Sequence, residues 1–489
     1  MKKTLLLTSL VASMVAMAGT TGSVKSYAES EAKFETKKSV SDDQKEVKTN
    51  TTKSYKVGKI GVETEVKVKG SGLSFGGTFE AKDLELGGVK KVNYLNHSSV
   101  WAKYELPELK GVNSYVKATV SPKFANEEKG KEDEYKFDGS AELEGQVSYK
   151  YDVLTFGLNS KTNFPFVKSA TNNDNYGKEV KSTHKLFVES EEKKDVFVKG
   201  LKDVKANLEI KHDYAKTVAK AGDRVDYVSG EASAKYDAVK DLELEGKVAF
   251  KRNFKSGEKI GDYEVLGTKL FKEVPARYIH SYELKGTYTG VKHLSLSAKP
   301  FAVHVNVAKD VTNNKLKRND FVLYGVELGT EYKMLNDKLT LTGKSLLAGV
   351  HHKTINETET EEAKKLVKEN LGYFVFDANA KYDYSVTDKF TVSPEANANL
   401  ELLVSKPADK LVTVPSLTLT PKVSAKYVPV EGLTIEGEVS VPVKFGVVTK
   451  SFEKDSNNSA NYVSTKPVKG FGYDSTSIKT SLNLKYEWK

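Results

Sequence analysis

The sequence predicts an all-β chain that forms a transmembrane, antiparallel, up-and-down β-barrel of about 20 strands, with roughly 16–22 admissible. Three observations carry this. A hairpin recurs, with Tyr just before its turn. Nearly every apolar residue has a polar neighbour on each side. The one short apolar run lies at the N-terminus, and no later stretch approaches the ~20 consecutive apolar residues of a membrane helix.

The hairpin closes on Lys103-Tyr104, Lys150-Tyr151, Lys235-Tyr236, Thr287-Tyr288, Glu331-Tyr332, Lys381-Tyr382 and Lys426-Tyr427. A few polar residues follow each Tyr, and a new alternating run then begins, as in Leu242-Glu243-Leu244-Glu245. Successive tyrosines lie roughly 45–50 residues apart, enough for two strands, a short turn and a long loop. One gap is doubled and holds a Tyr-less copy from Val196 to Val204.

The alternation has a period of two, which sends successive side chains to opposite faces. Ile60, Val62, Thr64, Val66 and Val68 share one face, while Lys59, Glu63, Glu65 and Lys67 take the other. The same separation holds from Leu242 to Phe250, from Leu433 to Phe445 and from Ile478 to Trp488. One apolar face per strand suits a barrel with lipid outside and water inside. The composition agrees, with 38% hydrophobic residues, mean hydropathy −0.47, 25 Tyr and no Cys. A soluble chain of this length needs thicker apolar segments, a second apolar face or covering helices.

The chain divides into a signal peptide over 1–18, a polar flexible segment over 19–55 and a barrel over 56–489. Lys2 and Lys3 precede the apolar stretch Thr4–Val15, and Ala16-Met17-Ala18 is a cleavage box; Ser26-Tyr27-Ala28 is a second candidate. One strand changes phase: Leu294, Leu296 and Ala298 share a face, but Phe301, Val303, Val305 and Val307 have the other parity. A bulge near Lys299-Pro300 is expected to return both sets to lipid. The long polar links fall near 163–183, 252–276, 308–319, 352–370 and 450–472. An even strand number puts both termini on the periplasmic side, with the Tyr turns.

Parity then assigns candidate residues. The tyrosines share the apolar face, so Tyr104, Tyr151, Tyr236, Tyr288, Tyr332, Tyr382, Tyr427, Tyr486 and Trp488 form an aromatic girdle at the periplasmic rim. The opposite parity lines the lumen with Lys117, Lys205, Lys247, Lys285, Lys344, Lys381 and Lys444. It adds Glu142, Glu144, Glu243, Glu245, Glu436 and Glu438. Such charges solvate an inner wall and also bias ion passage. The loop Thr360–Lys368 has helix formers and a Thr cap, as a helix at the barrel mouth would.

Signals for chemistry are weak. His97-Ser98-Ser99 is one short pattern in a polar link, and His351-His352 points to opposite faces of a strand. No enzyme activity, metal or cofactor is expected. The net charge of +10 falls to +8 without Lys2 and Lys3, and its spread along the chain argues against nucleic acid.

The terminal strand Ser481-Leu482-Asn483-Leu484-Lys485-Tyr486-Glu487-Trp488 resembles the C-terminal assembly signal of bacterial outer-membrane porins. Ser481, Tyr486 and Trp488 match that signal; Asn483 stands where Gly is usual, and Lys489 follows the final aromatic. The Lys- and Tyr-rich, Cys-free style looks like outer-membrane proteins of fusobacteria. The resemblance implies residence in the bacterial outer membrane, with membrane lipid and the barrel assembly machinery as partners. It also implies passive diffusion of small hydrophilic solutes. The alternative is a surface adhesin or structural barrel whose loops bind host molecules. Solute specificity and homo-oligomerisation stay open.

Overall fold

The computed structural model describes residues 19–40, 47–85, 98–122, 124–126, 135–167, 180–214, 225–254, 259–260, 263–265, 268–271, 274–312, 315–356, 367–405, 412–447, 451–454, 462–466 and 471–488. Its wall has twenty antiparallel strands. The first ten are β1 (Thr20–Val40), β2 (Val47–Val68), β3 (Leu73–Glu85), β4 (Ser99–Leu109), β5 (Val112–Ser121), β6 (Tyr135–Tyr151), β7 (Leu154–Val167), β8 (Lys181–Ser190), β9 (Leu201–Asp213) and β10 (Val225–Tyr236). Then come β11 (Leu242–Asn253), β12 (Val274–Val291), β13 (Leu294–Thr312), β14 (Lys315–Met334), β15 (Leu339–Asn356), β16 (Val367–Tyr382), β17 (Phe390–Ser405), β18 (Val412–Tyr427), β19 (Leu433–Ser440, continuing as Val443–Val447) and β20 (Phe471–Trp488). Each strand pairs with the next. β1 pairs with β20 from Gly22↔Trp488 to Glu35↔Ser475, so the sheet closes on itself and keeps no free edge.

The turns at one end are short, and each hairpin Tyr stands beside one. At β4–β5, Lys110 and Gly111 both take positive φ (50° and 82°), the signature of a two-residue hairpin turn that matches strand twist. At β18–β19, Gly432 has φ 82°, and a Cβ there would stand 2.2 Å from the Glu487 carbonyl oxygen. Only glycine fits. Thr20 and Trp488 lie at the same end. With the short turns at the periplasmic side, the opposite end is extracellular.

Three sequence expectations change. Residues 20–40, read as part of a flexible lead, are β1, the strand that closes the barrel. The face that pairs with Leu482, Leu484 and Tyr486 carries Ala28, Ser26 and Val24, so small residues hid the alternation. The link expected at 308–319 is mostly strand, because β13 and β14 extend to Thr312 and from Lys315. The leader 1–18 and residues 360–366 of the mouth loop lie outside the described residues, while Val367 and Lys368 begin β16.

The phase change in β13 resolves without a bulge. Register runs unbroken from Leu294↔Tyr332 to Val307↔Asn319 on one side, and Gly286↔Ala298 and Glu283↔Phe301 fit one register on the other. Phe301, Val303 and Val305 therefore point inward, with Glu283 and Glu327. They are tolerated there because their inward neighbours are also apolar. Leu323, Leu346 and Val375 complete a buried cluster, with Ile279, Ala348, Val350 and Tyr373 packed against it. The barrel thus has an apolar patch on the extracellular half of one inner wall.

Candidate functional site: the inner wall and the rims

The alternation that builds each strand also sorts the two faces of the wall. On the outer face Val147, Val248, Leu284, Leu328, Leu347 and Leu482 are exposed, as lipid contact requires. The inner face is a lattice of ion pairs and hydrogen bonds. Lys299 bridges Glu283 and Glu327 at 3.7 and 3.0 Å. Lys422 bridges Glu395 and Glu438 at 2.9 and 3.4 Å. Lys161 meets Glu142 at 2.8 Å, Lys247 meets Glu231 at 3.0 Å, and Lys426 meets Glu436 at 3.5 Å. The Tyr115 hydroxyl donates to Glu144 at 2.6 Å, and Asn159 donates to the same carboxylate at 2.9 Å. Tyr27 of β1 donates to Glu80 of β3 at 2.6 Å, across β2. Such pairs fix strand register as well as solvate the wall.

All thirteen lumen candidates fall on this face. Register places Lys117 opposite Glu144, Glu245 opposite Lys285, and Lys344 opposite Asp377. Lys381 pairs with Asp383 at 2.9 Å. Lys205 and Glu245 line one inward pocket with Lys235 and Asp203, which pair at 3.3 Å. Glu243 lies opposite Thr287, and Lys444 opposite Thr418 and Ser475. Among the described residues Lys117, Lys205, Lys285, Lys344 and Lys444 make no ion pair, against Glu144, Glu243 and Glu245 among the acids. Sequence reasoning missed Lys299 and Lys422. Lys299 stands at the phase change of β13, and Pro421 interrupts the pattern beside Lys422. The shared parity of Lys422 with Thr418 and Lys426 was the signal to follow.

The girdle residues gather at the short-turn rim. Tyr104, Tyr151, Tyr236, Tyr288, Tyr332, Tyr427 and Tyr486 are exposed, and Tyr382 and Trp488 are partly so. The ring stands on a row of apolar partners, with Leu73↔Tyr104, Leu294↔Tyr332, Leu339↔Tyr382 and Leu433↔Tyr486 paired. Tyr486 stacks on Trp488 at 6.3 Å, and the Trp488 indole donates to Thr20 at 3.4 Å, which ties the last strand to the first. The Tyr-less copy, Val196 to Val204, straddles a ten-residue turn, 191–200, and the start of β9. In it Val196 is buried and Phe197 is 86% exposed at φ 61°. Lys150 and Lys194 both clasp Glu191 in that turn, and they pull its carboxyl down to about 2.

Ser98 is buried and accepts from the Glu80 amide at 3.2 Å, while His97 lies outside the described residues. His351 and His352 are successive residues of β15, paired with Val322 and Phe321 of β14. No metal-binding cluster of His, Asp and Glu occurs among the described residues.

No protein-family model matches the chain, and neither does any curated protein, so its fusobacterial style rests on composition alone. Solved structures do match. A mutant of the ferric enterobactin receptor PfeA of Pseudomonas aeruginosa, in complex with enterobactin, aligns at TM-score 0.50 and 9% identity over 96% of this chain and 82% of that one. The FrpB iron transporter of Neisseria meningitidis aligns at TM-score 0.44 and 8% identity, over 97% and 82%. A loop-deletion mutant of OmpT, an outer-membrane protein of Vibrio cholerae, aligns at TM-score 0.29 and 10% identity, over 96% and 100%. At 9% identity the likeness to the enterobactin receptor is one of fold alone. With a closed wall of twenty strands, an apolar outer band and an aromatic rim, the chain is a β-barrel of the bacterial outer membrane.

Proposed function

We propose that the barrel is a channel for passive diffusion of small hydrophilic solutes. The observation that carries this reading is the inner wall. It presents charged and hydroxyl side chains from nearly every strand, the polar lining that a water-filled lumen needs. A barrel near 20 strands is too wide for its own side chains to fill. Solutes would be sieved by width and biased by charge, with the lysines outside ion pairs giving a weak preference for anions.

The apolar patch of Val303, Leu323, Leu346 and Val375 favours a second reading. These side chains are fully buried, so this part of the wall does not meet open water. A lumen blocked there suits a structural barrel or adhesin whose extracellular loops bind other molecules. Liposome swelling with sugars of graded size separates the two. The mature protein should admit small sugars and exclude larger ones. Vesicles that swell no faster than protein-free controls would remove the channel reading.

A further inference from the structure

Arginine and histidine are unevenly placed along the chain. The chain has only four arginines, Arg224, Arg252, Arg277 and Arg318, all in one stretch of sequence. Of its eight histidines, His184, His212, His280, His304 and His351 share the parity of the lipid face, towards the extracellular ends of their strands. These arginine and histidine side chains converge most closely on β11–β13. Arg252 lies on the lipid-facing parity with Val248 and Phe250, and its guanidinium sits 5.0 Å over the Phe254 ring. Tyr278, directly opposite Arg252, packs edge-on against His280 and His304 at 5.4 Å each, and those imidazoles stack at 6.5 Å. Arg277 has the inward parity of Ile279, but it is exposed at a register shift and lines the same groove as Arg252. Between them runs an open groove of about 600 Å³, lined by Arg252, Arg277, His280, Phe250, Phe254 and Tyr278.

Height fixes what such a groove would meet. Arg252 stands ten residues up its strand from Leu242, about 33 Å along a strand tilted by about 40°, and so about 25 Å above the short-turn rim. The apolar band of such barrels is about 25 Å tall. The guanidiniums therefore sit where acyl chains give way to headgroups in the outer leaflet, with the aromatic floor just below. Charges on a lipid-facing wall need a partner, and two guanidiniums offer forked donors that match phosphate.

We propose that this groove binds a phosphate-bearing, acylated glycolipid of the outer leaflet. Arg252 and Arg277 would hold the phosphate, and Phe250 and Phe254 would seat an acyl chain. The lipid is favoured over free phosphate because the aromatic half of the groove faces the bilayer.

The test titrates the folded, full-length barrel in detergent with a bisphosphorylated, hexa-acylated glucosamine disaccharide, with bound lipid counted by native mass spectrometry. Combined Arg252→Ala and Arg277→Ala should weaken binding by about tenfold or more, the value of one charge-assisted hydrogen bond. Lys69→Ala with Lys110→Ala, which removes as much charge from turns at the other end, should leave it unchanged. The dephosphorylated lipid should bind no better to wild type than the phosphorylated lipid binds to the double variant. Inorganic phosphate should not displace the lipid. Equal binding by wild type and double variant would overturn the proposal, as would full displacement by inorganic phosphate or equal binding of the dephosphorylated lipid. Should the alanine pair fail to fold, Arg252→Lys with Arg277→Lys keeps the charge and loses the fork. Its binding should fall between the two, and wild-type affinity there would overturn the proposal.

Discussion

Val248→Arg and Lys247→Gln change neighbours on one strand, and the structure predicts opposite outcomes. Val248 is 48% exposed on the outer face and lies opposite Tyr282, itself 54% exposed. It stands six residues above Leu242, about 20 Å along the strand and about 15 Å above the rim, near the middle of a ~25 Å apolar band. An arginine there costs about 2–4 kcal/mol. Lys247 points into the lumen, where it pairs with Glu231 at 3.0 Å. Glutamine in its place gives up one partly exposed ion pair, at a cost of about 0.2–1 kcal/mol. The two variants should therefore differ by about 2 kcal/mol, roughly thirtyfold in the unfolding equilibrium. Urea unfolding in phospholipid vesicles, followed by the heat-dependent gel shift of a folded barrel, reads that difference. Equal destabilisation by both substitutions would refute the assignment of faces on β11.

Three further outcomes follow from the same geometry. Because the chain has no Cys, single cysteines can carry a fluorophore: at Ala302 it should be quenched by brominated acyl chains, and at Val303 it should not; the reverse would restore a bulge near Pro300. Deleting residues 20–40 should abolish the folded monomer band, because β1 pairs on both sides; a normal band would return this segment to a flexible lead. Glu191 is held at about 2, so its clasp by Lys150 and Lys194 contributes stability above the ordinary carboxylate range and loses it as pH falls from about 4.3 towards 2. Amide exchange over 191–200 should rise in that window and, in Glu191→Gln, be fast and pH-independent after correction for intrinsic rates; wild-type protection that is flat across the window would discount the clasp.

Much of this architecture was legible in the sequence. Strict alternation with charges on one parity gave the inward lysines and glutamates, and the tyrosine before each turn gave the rim, since both depend only on period two and turn position. What stayed hidden depends on neighbours brought together by register. From Ser26 to Ala32 the lipid face of β1 carries only Ser and Ala, so hydropathy could not separate it from a polar linker. Phe301, Val303 and Val305 read as a lipid face because single-strand parity carries no information on Leu323, Leu346 and Val375, which make their inward position tolerable. The pairing of Lys299 with two glutamates lies across three strands. The outer histidines and arginines were spread over some 170 residues of sequence, from His184 to His351, and only the pairing of β8 to β15 sets them on one side.

The central claim, a conducting lumen lined by the inward lysines, is tested most directly by single-channel recording of the mature protein in planar bilayers under a salt gradient. Steady open currents should appear, with a reversal potential weakly on the anion side. Changing Lys117, Lys205, Lys247 and Lys285 together to Glu should move it towards cations, and less so near 1 M salt, where the Debye length is about 3 Å. Folded barrels that carry no steady current, or a reversal potential indifferent to all four changes, would contradict the account.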